Sequence, residues 1–186
     1  MATLTIRDDG RVLTGEAEIA AYLDRYGIWY RRFPGLADVD DAATDEEILA
    51  AYREPIGELM ATGEYQSADV INVTRETPGL EAMLAKFSKE HWHSENEVRF
   101  IVRGRGLFHI HPESGPVFSL EVEKGDMINV PQGTHHWFDL CADRNIRAIR
   151  LFQDTSGWTP HYTGSGEEQS YQPLCFGPQY LPAPGL

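Results

Sequence analysis

The change of hydrophobic period near residue 87 constrains the fold of this chain more than any other feature. Before it, apolar residues recur at helical spacing. After it, apolar and polar residues alternate over short runs rich in β-branched and aromatic side chains, and glycines separate the runs. Several short strands with glycine turns are typical of an antiparallel sandwich or small barrel. We therefore predict a mainly β (α+β) protein with a helical N-terminal layer.

Three helices are predicted before the change of period. The first covers residues 15–26, which carry one apolar stripe. The second opens with a capping box between Thr44 and Glu47, and Pro55 should kink it. The third has Pro78 at its first helical position. The strands that follow are predicted at residues 98–102, 107–111, 117–122, 127–130, 136–140 and 146–152.

Length and charge limit the domain count and the partners. With 186 residues we expect one domain spanning 1–186. Within it, residues 1–88 should form the helix-rich part, 89–155 the barrel strands, and 156–186 a C-terminal segment and tail. A net charge of −13 disfavours nucleic acid and anionic membranes as partners. We expect a monomer.

The sequence also bears on location. The N-terminal residues have no basic region followed by an apolar run, and no apolar stretch is long enough to cross a bilayer. Two cysteines, Cys141 and Cys175, could pair, but their spacing makes no recognisable framework, and lone buried thiols are common in cytosolic proteins. These features favour a cytoplasmic protein.

The segment HWHSENEVRF places His91, His93 and Glu97 on one side of an extended chain. Burying two imidazoles with a carboxylate is unfavourable unless a cation or a complete hydrogen-bond network compensates. A metal ion would do so, whereas the alternative is a solvated cluster at a strand edge. The other H-x-H pair, His109 and His111, has no acid six residues later, and we interpret it as strand surface or as support behind the site.

A fourth ligand is expected from the segment VPQGTHHWFD, which offers His135 and His136. Adjacent strand residues face opposite sides, so only one of the two should ligate the metal. The residues alone leave this choice open.

Two segments resemble the motifs of the cupin superfamily. HWHSENEVRFIVRG is similar to the first cupin motif, and GDMINVPQGTHHWFDL is similar to the second. Two positions depart from the motifs, Ala85 and Leu140, and neither is a ligand position. The resemblance implies a double-stranded β-helix or jelly-roll barrel and selects His136 over His135. The implied metal ligands are His91, His93, Glu97 and His136.

Within the cupins, the chain resembles the acireductone dioxygenase family of methionine salvage. The similarity covers about Ala17 to Gly164 and includes GEYQSADVI, EVRFIVRGRGLFHI and IRAIRLF followed by GWTPHYTG. It implies one Fe(II) or Ni(II) per chain, an ene-diol substrate (1,2-dihydroxy-3-keto-5-methylthiopentene) and O2. It also implies 4-methylthio-2-oxobutanoate and formate as products with iron, or 3-methylthiopropanoate, formate and carbon monoxide with nickel. The ligands are the same for either metal, so the sequence does not choose between them.

Four further residues are candidates for catalysis. Arg99 lies two residues after Glu97, on the same strand face, where it could hold a substrate anion. Arg150 could support the same charge, and Phe138 and Trp158 could line a pocket for the methylthio tail. Glu95 and Asp139 are nearby acids that could orient the ligand histidines, although position alone does not establish this contact.

Three other functions stay open at this point. A different cupin catalyst, such as a sugar-phosphate isomerase or another dioxygenase, could use the same ligands. A binding or storage cupin would hold metal without turnover. In a metal-free barrel the His/Glu cluster would be a hydrogen-bonded core feature, and removing a histidine would then change stability rather than metal content.

Overall fold

The computed structural model of the protein describes residues 1–36, 38–62, 64–154 and 159–171. The α-helices in these ranges are α1 Glu16–Asp24, α2 Asp45–Ala51, α3 Arg53–Met60 and α4 Leu80–Phe87, with a 3-10 helix at Glu167–Ser170. The strands are β1 Thr3–Ile6, β2 Arg11–Leu13, β3 Trp29–Arg32, β4 Ser67–Val73, β5 His91–Trp92, β6 Glu97–His111, β7 Phe118–Glu123, β8 Asp126–Val130, β9 His135–Leu140, β10 Ile146–Phe152 and β11 His161–Tyr162.

Strand β6 belongs to both sheets of a sandwich. Its first half pairs with β8 and β10, which continue to β3 and β4. Its second half pairs with β7 and β9, which continue to β1, β2, β5 and β11. All these pairings are antiparallel, and the main core lies between the two sheets. This arrangement is the predicted cupin sandwich, and the fold class is confirmed.

Gly104 marks the point where β6 passes from one sheet to the other. Its φ is +71°, and a Cβ atom there would lie 1.8 Å from the carbonyl oxygen of Asn145. Only glycine can therefore occupy this corner. The sequence predicted two separate strands at 98–102 and 107–111, which was wrong, because the glycines between them turn the strand without ending it.

Helices α2 and α3 cover the outer face of the sheet that contains β8 and β10. Ile48, Tyr52 and Ile56 pack there against Val98 and Phe100 of β6. The predicted capping box is present, since Thr44 accepts from the backbone N–H of Glu47 and the Glu47 side chain accepts from the Thr44 N–H. A break at Tyr52 divides the predicted second helix in two, so Pro55 lies in the first turn of α3 and does not kink a continuous helix.

The N-terminal part contributes more to the sheets than predicted. Strands β1 to β4 were not predicted, and β3 and β4 pair with β8 and β10. Helix α4 begins at Leu80 after Gly79, whose φ is +69°, so Pro78 precedes the helix and does not open it. The domain division at 88 and 155 stays a prediction.

Two other findings concern membrane crossing and the cysteines. Among the described residues, no helix has the length and apolar character needed to cross a membrane. Cys141 is buried beside Leu107 and is disulfide-bonded, so it is not a lone thiol. Cys175 lies outside the described residues.

Candidate active site

Three imidazoles and one carboxylate converge inside the barrel. The residues are buried, and His91 and His136 are register partners on β5 and β9. The His91 ring centroid lies 4.6 Å from that of His136 and 4.9 Å from that of His93. One carboxylate oxygen of Glu97, Oε2, lies 2.9 Å from Nε2 of His136 and 3.2 Å from Nε2 of His93. The structure thus brings together all four residues predicted as ligands.

The backbone determines which nitrogen of each ring faces the cluster. The Nδ1 atoms of His91, His93 and His136 lie 2.6, 3.3 and 2.8 Å from the carbonyl oxygens of Lys89, Thr159 and Thr134. Because a carbonyl oxygen only accepts, Nδ1 carries the hydrogen in these contacts. A neutral ring then turns the Nε2 lone pair toward the other members of the cluster. This is the orientation that a metal ion requires of histidine ligands.

The donor set fits a divalent transition metal. Suitable nitrogen atoms of the three histidines lie within 4.8 Å of one another, and burial together with His136 lowers the pKa of His91 to about 4. Lone pairs facing a carboxylate repel one another unless a cation lies between them. Three imidazoles with one carboxylate and no thiolate favour borderline ions over calcium or magnesium.

Arg99 lies beside Glu97 on the interior face of β6. The side chains at 97, 99 and 101 face the interior, whereas Val98 and Phe100 pack under the helices, as the period of two requires. Nε of Arg99 donates to Oε1 of Glu97 at 2.9 Å. Burial opposes ionisation of Glu97, but the Arg99 guanidinium favours the charged form, and the pKa of this carboxyl lies well below its usual value.

A mostly apolar cavity of about 100 Å³ opens beside the cluster. His91, Glu97 and His136 lie at its polar end together with Arg99. The rest of the wall comes from α4 and from inward residues of both sheets: Ile71, Val73, Met83, Leu84, Phe87, Ile101, Phe108, Phe138, Leu140, Ile146 and Ala148. The cavity can therefore receive a ligand with a polar head and an apolar tail.

Arg150 also lines this cavity but is held differently from Arg99. The two arginines are register partners on β10 and β6. The Arg150 guanidinium makes a two-pronged contact with Asp69 of β4, in which Nε donates to Oδ1 at 2.7 Å. Arg150 is thus directed by a carboxylate outside the histidine cluster, and no sequence pattern indicated Asp69 as its partner.

Phe138 forms part of the cavity wall, and Gly106 makes room for it. The Phe138 ring packs edge-on against Phe108 with centroids 4.9 Å apart. A Cβ atom at Gly106 would lie 2.3 Å from Cζ of Phe138. Sequence reasoning missed this role of Gly106, because the two residues meet only across β6 and β9. Trp158, the remaining candidate, lies outside the described residues.

The residues considered near the ligand histidines have the following contacts. Glu95, a candidate for orienting a ligand histidine, accepts from the N–H of Asp154. Asp139 lies 3.5 Å from His109 and not beside a ligand ring. His109 is fully buried and contacts Ser119, so the strand-surface alternative is wrong for this residue, and the alternative of support behind the site stays a prediction. Backbone carbonyls orient the ligand rings, and such contacts leave no residue-type signal in a sequence.

The fold and the cluster define a cupin with a buried centre suited to a metal ion. Comparison with known proteins agrees. The ARD/ARD' family model matches residues 23–160. An acireductone dioxygenase of Picosynechococcus sp. is 45% identical over 94% of this chain and 99% of its own length. One of Stutzerimonas stutzeri is 46% identical over 83% of this chain and 84% of its own.

A solved structure agrees with this assignment. The acireductone dioxygenase from Bacillus anthracis, with a cadmium ion in its active center, superposes with a TM-score of 0.79 and 37% identity. The superposition covers 87% of this chain and 98% of that one. The chain therefore belongs to the acireductone dioxygenase family, and a metal cofactor, a small-molecule substrate and O2 follow from this membership.

Proposed function

We propose that this chain is an acireductone dioxygenase that cleaves 1,2-dihydroxy-3-keto-5-methylthiopentene with O2. The observation that carries the proposal is the position of the His/Glu cluster at the polar end of an apolar cavity. The ene-diol end of the substrate matches the polar end, and its methylthio tail matches the apolar wall. Membership of the family supports the same reaction.

We propose His91, His93, Glu97 and His136 as the metal ligands. When bound, the ion would supply a Lewis acid for the electron-rich ene-diol. The backbone carbonyls behind the rings keep the Nε2 atoms aimed at one point, which reduces the reorganisation needed on binding. Glu97 contributes the one negative charge of the proposed ligand set.

Arg99 is the proposed anchor for the substrate anion. Its contact with Glu97 uses Nε, and the guanidinium lines the cavity beside the cluster. A guanidinium presents several donors in a fixed plane, which suits an ene-diolate oxygen. The same cavity wall excludes water from the reacting end, with Phe138 and α4 as its apolar parts. The role expected for Trp158 stays a prediction.

Iron and nickel are both proposed as competent metals, with one ion per chain. The family resemblance implies 4-methylthio-2-oxobutanoate and formate with Fe(II). It implies 3-methylthiopropanoate, formate and carbon monoxide with Ni(II). Both ions accept nitrogen and oxygen ligands of this kind, so the metal must be identified by analysis of the purified protein.

The decisive experiment measures O2 uptake with the acireductone in apo, Fe(II)-loaded and Ni(II)-loaded protein, with metal content and products determined on the same samples. We expect uptake only in the loaded samples and products that differ between the metals. Metal binding without uptake would leave a binding cupin or a cupin catalyst of another kind. Failure to retain metal would remove the proposed centre altogether.

A matched pair of variants tests the ligand set. Glu97→Gln removes a buried charge at the cluster, whereas Glu95→Gln changes an acid two residues away whose contact is with the Asp154 backbone. We expect Glu97→Gln to lower metal content and O2 uptake together and Glu95→Gln to change neither. Equal losses in both variants would contradict this ligand assignment.

The remaining proposals concern the oligomeric state, the cellular location, the domain count and the partners of the enzyme. We propose a monomeric, cytoplasmic, single-domain protein that binds neither nucleic acid nor membranes. The net charge of −13 supports the exclusion of polyanions. Light scattering coupled to gel filtration would measure the mass, and a dimer mass would overturn the monomer.

A further inference from the structure

A second group of metal-ligating side chains lies outside the candidate active site. The potential ligand atoms of Glu90, His111 and His135 lie within 4.8 Å of one another. His111 and His135 are register partners on β6 and β9. We propose that these three residues form a second, separate binding site for a borderline divalent metal ion such as Zn(II).

The alternation of side chains places the two clusters on opposite faces of the same backbone. His136 faces the barrel interior, and the preceding residue, His135, faces outward. Glu90 likewise immediately precedes His91. The proposed site is therefore back to back with the first cluster and shares no ligand with it.

Glu90 is built into the protein as an oriented carboxylate. The residue is 2% exposed. The hydroxyls of Thr163 and Ser165 donate to its Oε2, and these two hydrogen bonds hold the carboxylate in one orientation. Its other oxygen, Oε1, lies 2.5 Å from Nδ1 of His111. Carboxylate ligands of metal ions are commonly held by hydrogen bonds of this kind.

The site opens toward solvent through a cleft of about 880 Å³. His111 and His135 line this cleft, and Gln132 and Thr134 lie beside them. Two imidazoles and one carboxylate leave a coordination position for water or an exogenous ligand, as in three-residue zinc sites. The donor set excludes a preference for calcium or magnesium, which take mainly oxygen ligands.

One local adjustment is required for binding. Two ligands of a tetrahedral zinc ion lie about 3.4 Å apart, given metal–ligand bonds of about 2.1 Å. The present contact between Glu90 and His111 is shorter and is bridged by a proton. On binding, the metal ion would replace this proton, which would be released to solvent, and the partly exposed His111 ring would move outward to make room.

The test counts zinc per chain after equilibrium dialysis of the full-length protein against a zinc buffer that fixes the free ion in the micromolar range. We expect two ions in the wild type and one in His135→Gln and in His111→Gln. His161→Gln is the matched control, because it removes an exposed imidazole that stacks on Trp92 and belongs to neither cluster. This control should retain two ions.

The number of zinc ions per chain in each variant tests the second site separately from the proposed dioxygenase function. Glu97→Gln should lose the first ion and keep the second, which would show that the outer site binds independently of the enzyme centre. A single wild-type ion that Glu97→Gln removes, no difference between the wild type and His135→Gln, or an equal loss in His161→Gln would overturn the second site. His135 is exposed, so its replacement should leave the fold intact, and far-ultraviolet circular dichroism checks this.

Discussion

Arg99 and Arg150 face each other directly across β6 and β10, yet each is held by a different carboxylate. Arg99 donates to Glu97 within the candidate active site, whereas Arg150 donates to Asp69 on β4. Both positive charges therefore lie beside one cavity, but each has a different carboxylate partner. It predicts that the two arginines differ in their effect on substrate binding.

Arg99→Gln should reduce kcat/KM by roughly 10- to 100-fold, the range expected when a hydrogen bond to a charged group is lost. Arg150→Gln should have a smaller effect, and Asp69→Asn should reproduce it, because Asp69 acts only by directing Arg150. Steady-state O2 uptake at several substrate concentrations would measure these effects. A larger loss in Asp69→Asn than in Arg99→Gln would contradict the assignment.

Gly106→Ala should displace the Phe138 ring into the cavity. The new methyl group would lie 2.3 Å from Cζ of Phe138, so the ring must move. We expect an increase in KM, retained metal content and a loss of about 1 to 3 kcal/mol in the free energy of unfolding. Gly57→Ala is the control, since a Cβ atom there has open space within α3. It should stabilise the helix by up to about 1 kcal/mol and leave KM unchanged.

Asp126→Asn should destabilise the protein without a direct effect on the metal centre. The Asp126 carboxylate is fully buried and accepts from Tyr30, Arg32 and the backbone N–H of Glu123. The substitution replaces an acceptor oxygen by an NH2 group that faces donors, and it should lower the free energy of unfolding by about 2 to 3 kcal/mol. Glu123→Gln removes a more exposed partner of Arg32, and its effect should stay below about 1 kcal/mol. Urea unfolding would compare the two variants.

Metal removal should lower the melting temperature of the wild type. The four-residue cluster brings buried lone-pair donors together, and a bound ion stabilises the folded state by mass action. Calorimetry before and after chelation would measure the shift. The Glu97→Gln variant should show a smaller shift, and an equal one would indicate that the stabilising ion lies elsewhere.

The His/Glu cluster and the later strands could be predicted from the sequence because they depend on the spacing of residues within one segment. The alternation of side chains along a strand was enough to predict that His91, His93 and Glu97 share one face. The selection of His136 over His135 depended on the family motif. The strands β7 to β10 lie close to the predicted ranges because glycine turns separate clear alternating runs.

The remaining features depend on tertiary contacts. Strands β1, β2 and β3 are only three or four residues long, which is too short for a periodic signal. The Asp69 contact with Arg150 joins residues from β4 and β10, and the Gly106 contact with Phe138 joins β6 and β9. Neither pairing is encoded within one segment. The continuity of β6 through Gly104 also depends on the opposing Asn145 carbonyl.

The position of β6 at the centre of both sheets governs the order of events on the ribosome. Strands β1, β3 and β4 are synthesised first, but their partners β7, β8 and β10 follow β5 and β6 in the chain. Until then β3 and β4 have no partner strand and β1 pairs only with β2, which makes folding slow and dependent on long-range contacts. His136 is also the last residue of the four-residue cluster to emerge. A metal ion that requires all four residues can thus be bound only after most of the polypeptide has been made.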